Sequence, residues 1–540
     1  MNVLGVYDGH DANAALINDT SIIAAAQEER FRRIKHFYGF PSESIKFVLR
    51  HAGIKPSDIK YVAYPSETSS LKDDPHSPFL IRNLHLLGID HYKEIIPIDH
   101  HQAHAASAYR CCGWPKATVI SLDGSGGNFS GTVCYGEKGK LYKISEIANQ
   151  GSLGWFYSSV TEALGFRPND EEGKTMGLAA YGRRNPYLIE KLKIFAPRIN
   201  GLVLQRDTLW KISAKLVNGF YRCHFEDSHK IRRLVEKYGG ENVAACAQAI
   251  LEETTKDLVK NAVKKTGCPY LAVAGGIFFN VKLNMELEQL ACVKEIRPHP
   301  ASGDSGLALG AALEAVSMRT TKRVVCNLTH AYFGPSFTNK EVMASIRKYK
   351  GLKIRKVDYA KIPPVVSEYL QNGLAVGWFQ GRMEYGPRAL GARSVLLDPR
   401  NIEAKERLNN QLKRREWFMP FAPTILQKHA KDFIRRPKTI YSPFMIKAFR
   451  INRTKTKDIA AAMHVDGTIR THTLSRRQNP LYYDLIKEFY KMTGVPAVLN
   501  TSFNRHGAPI VCSPDDALEH LKMRCVDVLV INNLVIENIS

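Results

Sequence analysis

The chain has 540 residues, 44% of them hydrophobic and 24% charged, too many for one ordinary core and typical of a soluble protein of roughly two to four domains. No stretch is long and apolar enough for a membrane span, and ten scattered cysteines without a CxxC pair exclude zinc ribbons, thioredoxin-like chemistry and a disulfide framework. The formal net charge of +24 points to phosphate-bearing substrates or a polyanion such as nucleic acid, with a solvated basic face as the bland alternative.

The N-terminus, MNVLGVYDGHDANAALI, alternates like a buried strand entering a turn. It lacks the basic segment and long apolar run of a signal peptide, so a cytoplasmic location is expected. VLGVY-DGHDAN-AALIND-TSIIAAAQEE (3 to 29) reads as strand, glycine turn, strand, hairpin, strand. ATVISL-DGSGG-NFSGTVCYGEKGKLYKISEI (117 to 147) repeats that layout with the same Asp-Gly at its first turn. A duplicated βββα unit of this kind is the architecture of the actin and sugar-kinase superfamily, in which such turns face a cleft and offer backbone N–H groups to phosphates.

Between the repeats lies HHQAHAASAY (100 to 109). His100 and His104 share one helical face, which suits either a basic patch or half of a metal site; a metal would need further ligands from elsewhere. The GKT at 173 to 175 is no P-loop, because position 168 is proline. Farther on, YLAVAGGIFFNVKLN (270 to 284) delivers Gly275 and Gly276 after an apolar run, where a nucleotide's ribose or base can lie against bare backbone. Asp304 in HPASGDSGLALGAAL stands where a helix cap would. After a turn-rich transition near 319 to 340 the pattern changes, and 340 to 540 reads as a second, basic α/β domain following a first domain over 1 to 335. Within it, Lys413 to Arg477 carries 16 Lys/Arg against 4 Asp/Glu. Aromatics such as Trp417 and Phe449 lie among these charges, compatible with base stacking or with a core.

Eight motifs in order, DGH, HHxAHA, LDGxG, EGKTMGLAAYG, AGGIFFN, GDSG, GPRALGARS and LNTSFN, resemble those of the O-carbamoyltransferases that modify antibiotics, nodulation factors and cephamycin precursors. The resemblance spans nearly the whole chain. It implies an actin-like (ribonuclease-H-like) N-terminal domain that passes a carbamoyl group to an acceptor hydroxyl. It also implies a YrdC-like C-terminal α/β domain that makes carbamoyl-adenylate from carbamoyl phosphate and ATP with Mg2+. Carried over motif by motif, the metal ligands would be His100, His104, Asp123 and Asp304, holding Fe2+ or another divalent transition metal; His101 is not carried over and should point away. Carbamoyl phosphate and nucleotide would be met by Arg388, Arg393, Lys413, Arg470, Ser502 and Asn504, and on the N-terminal side by Lys174, Gly126, Gly275, Gly276 and Asn280. Arg414 and Arg415 stay undecided.

The chemistry accounts for these residue types. Two polyanions must be brought together to form the adenylate, and arginine forks neutralise and orient phosphate. A weakly acidic hydroxyl then needs a base, for which His10 in the DGHDAN turn is the candidate, oriented by Asp8. The acceptor is the open part of the reading. The charge favours a hydroxymethylated pyrimidine in DNA, flipped out or single-stranded to reach a cleft. A small natural product or sugar hydroxyl, or tRNA threonylcarbamoyl transfer, are the alternatives. The oligomeric state is not legible.

Overall fold

Strands that are apolar on both faces, such as Val3, Leu4 and Val6, all fully buried, need cover on both sides and so lie at the centre of an α/β layer. In the computed structural model the chain separates into two compact units, Met1–Leu328 and Thr329–Ser540. The structure describes residues 1–67, 72, 74–217, 220–413 and 416–539.

The first unit contains the duplication. β1 (Asn2–Tyr7), β2 (Asn13–Asn18) and β3 (Ser21–Gln27) form an antiparallel meander, and β4 (Tyr61–Ser66) and β5 (Glu94–Asp99) extend it in parallel with β1, in the order β3-β2-β1-β4-β5. β6 (Lys116–Gly126), β7 (Phe129–Glu137), β8 (Lys140–Ala148), β9 (Tyr270–Ala274) and β10 (Glu295–Pro298) repeat it as β8-β7-β6-β9-β10. This is the actin-like, ribonuclease-H-like arrangement twice over.

Two helices hold the repeats together. β5 ends at Asp99, whose carboxylate accepts the Gln102 N–H at 2.8 Å and so starts α1 (His100–Cys111). Asp304 opens a single helical turn that runs into α2 (Leu307–Arg319). Glycine lets α2 approach both α1 and β1: a Cβ on Gly310 would stand 2.0 Å from the Ala103 carbonyl of α1, and one on Gly5 of β1 1.9 Å from the Ala308 carbonyl of α2. The buried Arg110 guanidinium donates through Nε to Glu314 at 2.7 Å and fixes their register. The N-terminal ends of both helices thereby reach the same place as the end of β6.

The second unit has an eight-stranded mixed sheet. Its strands are β11 (Leu352–Lys356), β12 (Val376–Phe379), β13 (Arg393–Leu397), β14 (Ala422–Leu426), β15 (His472–Leu474), β16 (Ala497–Ser502), β17 (Val528–Ile531) and β18 (Leu534–Asn538). They are ordered β11-β18-β17-β12-β13-β16-β14-β15. Alternate residues serve opposite faces: Trp378, Leu396 and Val530 join a cluster with the helices Ile362–Gln371 and Pro480–Thr493, while Phe379, Val395 and Leu529 pack with Pro514–Lys522.

Candidate active site

α1 places His100 and His104 one turn apart, β6 delivers Asp123, and the turn before α2 delivers Asp304. One ligand atom from each of the four lies within 4.8 Å of all the others. His104 Nε2 is 3.1 Å from Asp123 Oδ2 and 3.3 Å from Asp304 Oδ1, and His100 Nε2 is 3.6 Å from Asp304 Oδ1. His104 is fully buried and His100 nearly so. Neither Nε2 is aligned in a hydrogen bond among the described residues: the imidazoles point between the carboxylates. Burial works against a charged His104, but Asp123 and Asp304 outweigh it and raise the imidazole to about 9. His100, buried and facing His104, is pushed down to about 3. Burial, with the neighbouring Asp123 charge, pushes Asp304 up. For Asp123 the same burial is overcome by His104, which holds it low.

The surroundings keep this geometry. Tyr7 donates its hydroxyl to Asp304 Oδ2 at 2.9 Å; burial, then the charge of Asp304, holds that phenol protonated by raising it well above the usual range. Asn13 donates to the Asp304 carbonyl at 3.0 Å and accepts the Ala308 N–H at 3.2 Å. The N–H groups of Gly124 and Gly276 donate to the two oxygens of Asp123 at 2.7 and 3.1 Å.

The last contact gives the glycines a task beside the expected one. Gly126 packs against His100 and Gly276 against Asp123, both in the cluster, and Gly275 against Leu122 beside Asp123. A Cβ on Gly126 would lie 2.2 Å from His100 Cδ2; Gly275, at φ +98°, presses on the Leu122 carbonyl. Asn280 is likewise committed, capping the helix Val281–Gln289 through Leu283 N–H and pairing with Gln248. Lys174 pairs with Glu171 at 3.0 Å and so steadies a carboxylate. His101 is fully buried, its Nε2 donating to the Phe129 carbonyl at 2.8 Å, so it is a core residue and not a dispensable neighbour.

His10 sits in the DGHDAN turn as expected, but its acid is different. Asp8 accepts from the Tyr64 hydroxyl at 2.9 Å, in a site whose burial raises its carboxyl. His10 Nδ1 instead faces Asp11 at 3.5 Å, and its Nε2 is buried with no hydrogen-bond partner among the described residues. The ring stacks on His36, centroids 5.1 Å apart. His36 in turn bridges Asp11 (2.7 Å) and Asp170 (3.0 Å). Burial opposes its charge, but Asp11 and Asp170 prevail and lift it to about 10. Asp170 also meets Lys35 and, at 2.9 Å, Arg167. Asp11, His36, Asp170 and Tyr7 were missed by motif reading. The one signal was the second acid of DGHDAN.

In the second unit the strand register gathers several expected residues at one end of the sheet. Ser394 pairs with Ser502, Ala422 with Asn500 and Thr424 with His472, so Arg393, Ser502 and Arg470, two residues before His472, share that end. Arg388 lies in the loop entering β13. Its Nε has no partner among the described residues, and burial lowers it to about 10. Arg393 is a correction. Its two terminal nitrogens donate to the carbonyls of Gln380, Gly381, Ala392 and Pro335 at 2.9 to 3.2 Å and the guanidinium stacks over Phe379, so these nitrogens hold the loop rather than a phosphate, and only Nε has no partner among the described residues. Asn504 is another: its amide nitrogen bonds the Arg505 and Ala508 carbonyls, and its oxygen accepts from Ser502 at 2.6 Å. The side chain of Lys413, and Arg414 and Arg415, lie outside the described residues.

Comparison with known proteins adds a name to this arrangement. Residues 2–85 and 67–313 match the family described as carbamoyltransferase N-terminus, and 367–538 match carbamoyltransferase C-terminus. The uncharacterized protein MJ1051 of Methanocaldococcus jannaschii is 32% identical, with 100% of each chain covered. Nodulation protein NolNO of Sinorhizobium fredii is 32% identical over 98% of this chain and 79% of the relative, and NolO of Bradyrhizobium diazoefficiens 34% identical over 81% and 78%. Among solved structures, HypF of T. kodakarensis aligns with 59% of this chain and 48% of its own at a TM-score of 0.33 and 14% identity.

Proposed function

This chain belongs to the carbamoyltransferase family and carbamoylates a hydroxyl, and from that premise we propose an ATP-dependent O-carbamoyltransferase that takes its group from carbamoyl phosphate through carbamoyl-adenylate. The observation that carries the reading is the meeting of the buried imidazoles of His100 and His104 with the half-buried carboxylates of Asp123 and Asp304.

Two unpartnered imidazole nitrogens facing two carboxylates suit a divalent transition metal, and a mixed N/O set of this kind fits iron(II). These four residues would hold the ion, which when bound supplies Lewis-acid stabilisation of developing negative charge. The remaining tasks belong to the chain. Tyr7, Asn13 and the Gly124 and Gly276 amides fix the two carboxylates. His10 offers Nε2 to the acceptor hydroxyl and takes its proton, with Asp11 at Nδ1 setting the ring's tautomer. At the sheet end of the second, YrdC-like unit, Arg388 and Arg470 neutralise phosphate oxygens of carbamoyl phosphate and Mg2+-bound ATP. Ser502, whose hydroxyl hydrogen goes to Asn504, helps to shape this end of the sheet. Arg393 shapes the loop that carries Arg388.

The acceptor follows from charge. ATP and carbamoyl phosphate are satisfied by a few cations, and +24 exceeds that need; a hydroxymethylated pyrimidine in DNA supplies the remaining anions. The test is an ATP–pyrophosphate exchange assay followed by acceptor mass spectrometry. Exchange is expected with carbamoyl phosphate, and a one-carbamoyl mass gain on hydroxymethylated DNA. Exchange only with threonine and bicarbonate overturns the donor; a gain only on a sugar or aminoglycoside overturns the acceptor.

A further inference from the structure

Half of the charge excess lies in the segment from Lys413 to Arg477, and only part of it is neutralised nearby. Lys455 meets Asp458 at 3.0 Å and Arg476 meets Asp484 at 3.1 Å. The side chains of Lys431, Arg435, Arg436 and Arg453 have no ion pair among the described residues. These four line one open groove of about 610 Å³, floored by Ile434, Pro437 and Asn452. All four are exposed.

The groove is built, not an accident of long side chains. Two segments are tied edge to edge: Arg435 N–H donates to the Arg450 carbonyl at 2.8 Å, and Asn452 N–H to that of Phe433 at 2.7 Å. Asn452 further donates through its amide to the Asp432 carbonyl at 3.2 Å. Just past these ties the chain turns through Arg436 in the left-handed region, φ +46°, and Pro437 follows. Like charges held this close repel one another at a cost in stability, and a bound polyanion relieves that repulsion.

We propose that this groove binds the phosphodiester backbone of a nucleic acid strand. Four unpaired cations along an open trough suit a chain of regularly spaced single charges better than a compact anion, which an enclosed pocket would hold. Arginine, three of the four, matches phosphate bidentately. The inference deepens the acceptor reading above and gives its DNA branch a docking surface separate from the phosphate site at the sheet end.

The test is binding of a fluorescein-labelled DNA oligonucleotide to the full-length protein, without ATP or carbamoyl phosphate, across a salt series. Arg435→Gln with Arg453→Gln is compared with a control pair, Lys348→Gln with Lys491→Gln, which removes equal charge from exposed, ion-paired lysines on the same unit. The groove pair is expected to weaken binding by on the order of tenfold and to flatten the log–log salt slope by about 2, near 0.9 per phosphate contact. The control pair should leave the slope unchanged. A second groove pair, Lys431→Gln with Arg436→Asn, covers the case in which the first fails to fold. Equal weakening by groove and control pairs, or no change in either, overturns the proposal. So does DNA binding lost only in the presence of excess ATP, which would assign it to the nucleotide site. If DNA binds through the groove but gains no carbamoyl group, the acceptor reading fails and the groove stands. If DNA is carbamoylated while the groove pair binds normally, the reverse holds.

Discussion

The imidazole of His36 lies flat on that of His10, their planes within 12°, and each of its nitrogens is held by a different carboxylate, Asp11 and Asp170. His36 itself takes a left-handed backbone, φ +55°, as do Asp11 at +62° and Asn169 at +62°. Three residues in that region are kept there only if the contacts around them over-determine the conformation. The bridge between the two acids supplies that, and it fixes the plane in which His10 can present Nε2.

His36 therefore ties stability to pH in a defined direction. Its folded value of about 10 lies above the roughly 6.5 of an unfolded histidine. The contribution is fully present below about pH 6.5 and is lost as the pH rises toward 10. His36→Gln should lower the melting temperature most at pH 6 and progressively less toward pH 9.5 by differential scanning fluorimetry. A gap that widens with pH contradicts the bridge. Because the stacked ring also aims His10, kcat for transfer should fall roughly ten- to a hundredfold with the KM for ATP unchanged.

The proposed roles predict that variants in the cluster of His100, His104, Asp123 and Asp304 separate transfer from activation. His104→Ala should abolish bound iron and carbamoyl transfer, yet keep ATP–pyrophosphate exchange, since the residues proposed for adenylate formation lie in the other unit. Chelation of the wild-type protein should do the same, with activity restored by iron(II). Loss of exchange in a variant that melts normally would argue that both steps share one site.

Gly126 offers a sharper probe of that cluster, because replacing it leaves all four clustered side chains chemically intact. A methyl group there must displace the His100 ring, 2.2 Å away. Gly126→Ala should cost about 1–3 kcal/mol by overpacking and weaken metal affinity, read by urea denaturation and metal titration. An alanine variant with unaltered affinity would mean that His100 has room to move and is not a required ligand.

The duplication was legible because Asp-Gly turns after apolar strands are local features, whereas HHxAHA by itself left a basic patch and half a metal site open, and Asp123 and Asp304 were joined to it only by the resemblance of the ordered motifs. What the sequence did not carry is who bonds to whom. Asp8 and Asp11 flank His10 almost symmetrically in DGHDAN; only the left-handed turn at Asp11 brings the second acid to the imidazole and leaves the first with Tyr64. The glycines of LDGxG and AGGIFFN read as nucleotide contacts; that they also permit close packing on His100, Leu122 and Asp123 is a three-dimensional fact with no spacing rule. Asp170 lies 134 residues from His36, beyond any local periodicity.

Arg388 and Arg393, five positions apart in one motif, should fail in different ways. Arg393 is fully buried and gives its donors to four backbone carbonyls, while Glu384 accepts the N–H groups of Leu390 and Ala392 at 2.6 and 2.7 Å on the other side of the same loop. Lysine keeps the charge of Arg393 but has three donors on one atom and cannot span that set. Several carbonyls are then left unsatisfied, at roughly 1–3 kcal/mol each. Arg393→Lys should therefore lower the melting temperature and the pyrophosphate exchange together. The Nε of each arginine is buried without a partner among the described residues, but Arg388 holds none of these carbonyls, so Arg388→Lys should melt near the wild-type temperature and raise the KM for ATP or carbamoyl phosphate, reflecting a lost bidentate contact. A thermally normal Arg393→Lys with a raised KM would return that residue to the phosphate site and leave the loop to be held by Glu384 alone.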